Sequence, residues 1–499
     1  MAAAALVLVH VPAALVPAPV EAGSERLNGY SLKVPMLTKL IKSGKGLIPN
    51  IGSSGSSTLN LQSGLHHYQR QDGDDKSRIH LRIDRDGTGT LIVNANRILH
   101  LNPSAAAMAW LILEKKTKEE ILHAITRRYA VSKRQAEHDL STFDLQLSEL
   151  IRPDGACPIH ELDLETSMPF SARPSAPYRM DLALTYRCNN ECAHCYNARA
   201  RNYPELVTAQ WKLILDKLWE LGVPHIVFTG GEATLRDDLP ELIAHAEANG
   251  QITGLNTNAR RLSDKNYVEK LVDAGLDHIQ ITVESSDEEI HDQMVRTKGA
   301  HKQTIRGLVN VLASPLYVMT NTTMLRTNVH KIPDTLDFLA GLGVPTIGLN
   351  ALIYAGNGLT VGTGLEEREL QPLLDIAVQK TSAHDQRLIW YTPTQYCQFD
   401  PIQQNLGVKG CSAALYSMCI ESNGDVLPCQ SYYHPLGNLL VDAWDTIWNH
   451  ELSVRLRERR GLPEKCSGCS LVPECGGGCP LQFQSHDQPT ATPFNLQAI

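Results

Sequence analysis

Met180-Asp-Leu-Ala-Leu-Thr-Tyr186-Arg-Cys188-Asn-Asn-Glu-Cys192-Ala-His-Cys195 joins an apolar run to three thiols at the spacing C-x3-C-x2-C. The run reads as a buried strand and the thiols as part of the loop that follows it. A structural zinc site takes four protein ligands in a closed tetrahedron. Three cysteines on one loop reach three irons of a four-iron cubane and leave the fourth iron to another ligand. On spacing alone, a zinc site that borrows its last ligand elsewhere is the alternative.

The pattern around this stretch is strand–helix alternation. Strand candidates are Asp181–Thr185, His225–Thr229, Ile252–Thr257, His278–Val283, Tyr317–Met324 and Thr346–Ala351, with helices such as Thr208–Leu221 and Pro333–Gly341 between them. Six βα repeats predict an α/β fold with a parallel sheet, either a partial (β/α)6 TIM-like barrel or a doubly wound sheet. Chemistry in such barrels gathers at the carboxyl ends of the strands. The second strand ends in Phe228-Thr-Gly230-Gly231-Glu232, where glycines allow close backbone approach and a carboxylate can pair with an ammonium group. Asn256 and Asn258 end the third strand, Thr282 and Glu284 the fourth, and Asn321 and Asn350 later ones. Each of these taken alone reads as a turn or cap residue before it reads as a ligand.

Cysteine usage points the same way. Seven of the twelve cysteines fall between Cys411 and Cys479, and clustered thiols suit metal in a reducing, cytoplasmic setting better than a disulfide framework. Charged residues are 20%, apolar residues 42% and the net charge −8, which is ordinary for a globular chain and argues against nucleic acid as the main partner. Residues Ala2 to Val20 are apolar, but no Lys or Arg precedes Arg26 and three prolines interrupt the run. A signal or anchor is therefore not expected; a disordered extension, or a true start near Met36, is. No other stretch is long and apolar enough to predict a membrane span. Residues 1–65 read as extension and linker, the latter rich in Gly and Ser from Gly44 to Gly64.

Residues 66–155 read as a small domain of strands followed by three helices, winged-helix-like in order. Asp86-Gly-Thr-Gly89 marks a hairpin, Asn102-Pro103 a helix start, and Thr117-Lys-Glu-Glu120 and Ser132-Lys-Arg-Gln135 two capping boxes. A DNA-binding winged helix would show a basic face, whereas acidic residues here roughly balance Lys115, Lys116, Lys118, Arg127, Arg128, Lys133 and Arg134.

The C-x3-C-x2-C loop followed by Gly-Gly-Glu resembles the radical S-adenosylmethionine (radical SAM) superfamily, within a barrel placed at residues 178–400. The resemblance implies that Cys188, Cys192 and Cys195 hold a 4Fe-4S cluster whose free iron binds S-adenosyl-L-methionine. It also implies that Gly230, Gly231 and Glu232 meet the methionine amino group. His194 stands where the family usually has an aromatic residue near the adenine. Asn256, Asn258 and Glu284 are carried as cofactor or substrate contacts. A 5′-deoxyadenosyl radical would then take a hydrogen atom from substrate.

Residues 405–485 resemble the cysteine-rich SPASM extension of radical SAM peptide-modifying enzymes, through Gly424-x4-Cys429 and C-x2-C-x5-C-x3-C from Cys466. That resemblance implies one or two auxiliary 4Fe-4S clusters, the first on Cys411, Cys419, Cys429 and Cys479, the second on Cys466, Cys469 and Cys475. The second lacks its usual last cysteine, so it keeps an open iron or uses His486 or Asp487. A zinc ribbon on Cys466, Cys469, Cys475 and Cys479 competes but orphans the others. Gln430 replaces the Asp found in sulfatase-maturing relatives and argues against that activity. Cys157 reads as a plain thiol. Cys397 is a candidate hydrogen-atom donor, with an inert thiol as the alternative.

The front domain resembles the peptide-chaperone domains of the pyrroloquinoline-quinone pathway, which bind a leader peptide as an added strand. The implied partners are a ribosomally made precursor peptide and an electron donor such as flavodoxin or ferredoxin, with no nucleic acid and no membrane. The expected function is a radical SAM peptide maturase. A radical SAM enzyme acting on a small molecule such as a tetrapyrrole side chain, and a redox-sensing DNA-binding regulator, are the alternatives.

Overall fold

The computed structural model describes residues 7–11, 61–72, 75–94, 97–151, 165–166 and 173–482. Cys157, His486 and Asp487 lie outside them. The chain divides into two compact units: Leu8–Val93 with Arg97–Thr166, and a larger one mainly of Ser167–Ile499.

The smaller unit holds β1 (Val7–Val11), β2 (Gly64–Asp72), β3 (Asp75–Ile83), β4 (Gly89–Val93), β5 (Arg97–Leu101) and β6 (Glu165–Thr166), in the order β2-β3-β4-β5-β1-β6. β1 falls inside the stretch read from sequence as an extension. The β3–β4 turn is the one that Asp86-Gly-Thr-Gly89 predicts, closed by Asp84 N–H donating to Thr88 O at 2.9 Å. Leu81 faces Leu91 across β3 and β4, Leu91 faces Leu99 across β4 and β5, and all three are buried. This alternation fixes the register, because a one-residue slip would turn the apolar set outward. Three helices cover the sheet's sequence neighbours: α1 (Pro103–Leu113), α2 (Lys118–Arg128) and α3 (Lys133–Leu150). Asn102 caps α1 by accepting from Ala105 N–H at 2.9 Å, and the Thr117–Glu120 box closes in both directions. At α3 only Ser132 caps, because the Gln135 amide turns to Asp139 at 2.7 Å. β2 carries few apolar residues and no sequence signal of its own; its full pairing with β3 makes it a strand.

The larger unit carries β7 (Arg179–Thr185), β8 (His225–Gly230), β9 (Ile252–Thr257), β10 (His278–Thr282), β11 (Tyr317–Thr323), β12 (Thr346–Asn350) and β13 (Arg387–Trp390). Neighbours pair in parallel and in sequence order. Helices follow the strands: α4 (Thr208–Glu220), α5 (Leu239–Asn249), α6 (Lys265–Asp273), α7 (Glu288–Val295) with α8 (Ala300–Leu312), α9 (Ile332–Gly341) and α10 (Glu367–Ala383). Trp211, Leu215, Phe228, Leu255, Ile279 and Ile347 lie in one buried core with them. The consecutive run β7 to β13 has one strand more than the six predicted, because four-residue β13 is too short for a periodic signal.

The cysteine-rich extension is not a separate layer. β14 (Ser417–Ile420) pairs in parallel with β7, and β15 (Asp425–Leu427) and β16 (Gly437–Asn438) add antiparallel strands outside it. The ten strands run β13-β12-β11-β10-β9-β8-β7-β14-β15-β16, so among the described residues the sheet stays open. The extension is thereby bound beside the strand that leads to the Cys188 loop. No described helix is long and apolar enough to cross a membrane.

Candidate active site

The loop after β7 is held by its backbone and by neighbours from other strand ends. Asn258 donates from Nδ2 to Asn189 Oδ1 at 2.6 Å, and Arg260 reaches Asn190 Oδ1 at 2.9 Å. Asn357 Nδ2 donates to Cys192 O at 3.1 Å, and Glu191 and Ala193 donate N–H to Val295 O and Met294 O. None of these bonds uses a thiol. Cys188, Cys192 and Cys195 all border a cavity of about 580 Å³ at the carboxyl ends of the strands.

The two glycines after β8 allow a close backbone approach within the protein itself. A Cβ on Gly230 would stand 2.1 Å from Thr185 O, and one on Gly231 2.5 Å from Arg187 O. Gly230 also has φ +136°, a left-handed value that favours glycine. These residues let the cysteine loop close onto the β8 turn, locked by Gly231 N–H to Thr185 O at 2.7 Å and Glu232 N–H to Arg187 O at 2.9 Å.

Glu232 is buried and its carboxylate accepts four bonds. Thr234 gives its N–H (3.2 Å) and hydroxyl (2.7 Å), Thr257 its hydroxyl (2.6 Å) and Asn258 its N–H (2.8 Å). Three of these bonds reach Oε1 and one reaches Oε2, so Oε2 keeps acceptor capacity beside the cavity. Glu232 thus locks the ends of β8 and β9 together under the cavity. Glu232→Gln, with its one oxygen in the place of Oε1, should leave the Asn258 N–H facing an amide NH2, at a cost of about 1–3 kcal/mol. The expected result is a lower urea midpoint together with slower S-adenosylmethionine cleavage; unchanged unfolding would refute the locking role.

His194 is buried, with Nε2 2.9 Å from Glu284 Oε1. Glu284 Oε2 accepts from Thr323 N–H at 2.9 Å, so β10, β11 and the cysteine loop meet at this carboxylate. The other ring nitrogen of His194 finds no partner among the described residues. Asn256, Asn258, Glu284, Thr282, Asn321 and Asn350 all border the cavity.

Burial pushes the loop thiols up: Cys188 to about 11, with Cys192 and Cys195 also raised, and neighbouring negative groups add to the rise at Cys188 and Cys192. Such thiols ionise when a metal replaces the proton. Three clustered thiols on one loop, bordering a cavity with room for a further ligand, fit a cubane held at three corners.

The same cavity continues to Cys411, Cys429 and Cys479. Burial raises the thiols of all three, Cys429 to about 12, and each lies within electrostatic reach of another. Cys419, grouped with them from sequence, is fully buried on β14 between Ala183 and Leu427 and does not border the cavity, although it is within electrostatic reach of Cys429. Cys397, the candidate hydrogen-atom donor, is exposed and does not border this cavity. Gln430 is buried and bridges Tyr196 and Thr229, accepting from the tyrosine hydroxyl at 2.9 Å and donating to the threonine hydroxyl at 3.0 Å.

A residue that sequence reasoning missed joins the two halves of the site. Glu421, buried at the end of β14, accepts from Tyr186 at 2.9 Å, Arg199 at 3.1 Å, Arg201 at 3.5 Å and Tyr203. The Arg201 guanidinium also stacks on the Tyr186 ring at 3.1 Å. The partners lie over 200 residues away in sequence, and no local pattern announces them.

The radical SAM superfamily profile matches residues 182–339, an iron–sulfur cluster-binding SPASM domain matches 411–470, and the coenzyme PQQ synthesis protein D (PqqD) family matches 89–150. The PqqA peptide cyclase of Xanthomonas campestris is 31% identical over 320 residues, covering 61% of this chain and 82% of that one. This chain belongs to the radical SAM superfamily. The radical SAM chain is also 29% identical over 328 residues to the Fe-coproporphyrin III synthase of Methanosarcina barkeri, covering 59% of this chain and 81% of the relative. Its fold matches Streptococcus suis SuiB bound to precursor peptide SuiA, with a TM-score of 0.61 at 18% identity over 81% of this chain and 95% of SuiB. Its cofactors are accordingly 4Fe-4S clusters and S-adenosylmethionine.

Proposed function

We propose that this radical SAM enzyme modifies a ribosomally made peptide, beginning with hydrogen abstraction from one of its residues. The observation that carries the reading is a PqqD-type domain on the same chain as the cysteine-lined cavity. Among the described residues the outer strand β2 pairs only with β3, and an extended peptide adds to a sheet through such backbone groups. Covalent fusion raises the local concentration of a weakly held peptide near the catalytic unit. The PqqA peptide cyclase and the peptide-bound SuiB support this reading by similarity.

Cys188, Cys192 and Cys195 would hold the cluster that binds S-adenosylmethionine. When bound and reduced, that cluster supplies the electron that splits the sulfonium and yields the 5′-deoxyadenosyl radical. The chain's own part is positional. Glu232 and Glu284 lock four strand ends around the cavity, and the three-cysteine arrangement leaves the methionine moiety a place to bind. Cys411, Cys429 and Cys479 at the far wall suit a second cluster that accepts the electron left on substrate. The first electron comes from a donor such as flavodoxin or ferredoxin, and the oxidisable thiols suit the reducing cytoplasm. The product is a thioether or carbon–carbon crosslink, an epimerised residue or an oxidative decarboxylation.

The coproporphyrin relative favours a small-molecule substrate as the second reading. A peptide-recognition domain is what such an enzyme does not need. If a small peptide is encoded beside the gene, its co-expression with this enzyme should give a mass change that depends on Cys188, Cys192 and Cys195. The same peptide's leader should bind the full chain in calorimetry. An unmodified, unbound peptide alongside turnover of a tetrapyrrole would overturn the proposal.

A further inference from the structure

The second auxiliary group has three spaced thiols, Cys466, Cys469 and Cys475, and lacks the downstream cysteine that usually completes it. The structure brings a different segment to this place. Residues 394–397 lie against the group from the other side. Tyr396 N–H donates to Cys475 Sγ at 3.4 Å, and the Cys475 thiol donates to Thr394 O at 3.5 Å. Lys465 Nζ donates to Gln395 Oε1 at 2.5 Å, so the residue before Cys466 is tied to the residue two before Cys397. Gln398 N–H bonds Gln395 O at 2.8 Å and bends the chain into a tight turn at Cys397.

From this juxtaposition we infer that Cys397 is the fourth thiolate of a closed auxiliary iron–sulfur site formed with Cys466, Cys469 and Cys475. One further feature agrees. Cys397 and Cys469 are exposed while Cys475 is buried, so the group sits at the surface. A four-iron cluster held at all four corners has no iron free for substrate, which suits an electron carrier and not a binding site. It also removes the need for His486 or Asp487 as a ligand. The inference does not depend on which substrate the enzyme uses.

The test uses the full chain, reconstituted anaerobically with iron and sulfide, in the Cys188→Ala, Cys192→Ala, Cys195→Ala background so that only auxiliary iron is counted. Cys397→Ala should lower the iron content by up to about four atoms per chain, as Cys466→Ala should, because each four-iron cluster is held by its thiolates. The double variant should lose no more than either single one, since both empty the same site. A conservative Cys397→Ser variant should show the three-iron paramagnetic signal of a weakly held corner if it keeps part of the cluster. A second readout does not depend on the variants folding. The exposed Cys397 thiol of the unaltered chain should resist iodoacetamide while iron is bound and react after iron is chelated, as followed by peptide mass mapping. Full iron in Cys397→Ala, equal alkylation with and without iron, loss of the same iron in a His486→Ala, Asp487→Ala variant, or about one zinc per chain in place of iron would each overturn the assignment.

Discussion

Replacing Cys188, Cys192 and Cys195 together with alanine is expected to lower 5′-deoxyadenosine formation by at least about a thousand-fold, equivalent to about 4 kcal/mol of barrier, while the chain still folds. Both halves of the expectation come from the loop. Its backbone is held by Asn258, Arg260 and Asn357 through Asn189, Asn190 and the Cys192 carbonyl, none of which the substitution touches. The thiols have a different task. They are raised by burial and have to give up protons to a metal, and no other cysteine on this loop can replace them. The variant should therefore unfold near the urea midpoint of the parent apo-chain, lose about four iron atoms per chain, and keep the auxiliary iron. Continued formation of the nucleoside by this variant would sink the cluster assignment. Loss of activity with a collapsed midpoint would mean that the loop's backbone contacts are weaker than the geometry implies.

Much of this was legible in the sequence because the signals are local. Six strands appear as short apolar runs between helical stretches, and their observed ends differ from the expected ones by at most two residues, as for Arg179–Thr185 against Asp181–Thr185. The C-x3-C-x2-C and Gly-Gly-Glu motifs are contiguous and carry their geometry with them. β2, β13 and β14 were not legible. Each is either short or mostly polar, and its state is decided by the strand it meets. Residue roles divided the same way. Gly230 and Gly231 stand out in the sequence, but their close packing against Thr185 O and Arg187 O depends on a loop that no local pattern places beside them. Glu421 and the Cys397 juxtaposition depend on segments far apart in the chain, which a sequence read without contacts cannot join.

Glu421 should be the most costly single carboxylate to remove. It lies almost wholly out of solvent, and so does the Arg201 side chain, while Arg199 is partly exposed. Removing one partner of a buried ion pair leaves the other charge uncompensated, which costs about 3–5 kcal/mol. Glu421→Ala should therefore lower the unfolding free energy by that amount and move the urea midpoint down in proportion. Glu421→Gln, which keeps an acceptor oxygen for one of Tyr186 and Tyr203 but not the charge, should fall between it and the parent. Arg201→Met combined with Glu421→Ala should cost less than the sum of the two, because the second change removes the charge that the first one stranded. The effect should also reach the chemistry. Tyr186, Arg199, Arg201 and Tyr203 flank the cysteine loop in sequence, whereas Glu421 belongs to the hairpin between Cys419 and Cys429. Loosening this junction frees the loop from the extension that forms the cavity's far wall. Slower 5′-deoxyadenosine formation is expected even in urea-free buffer well below the unfolding temperature. An alanine variant with an unchanged midpoint would show that the guanidinium groups find other partners and that the two cluster regions are not joined through this carboxylate.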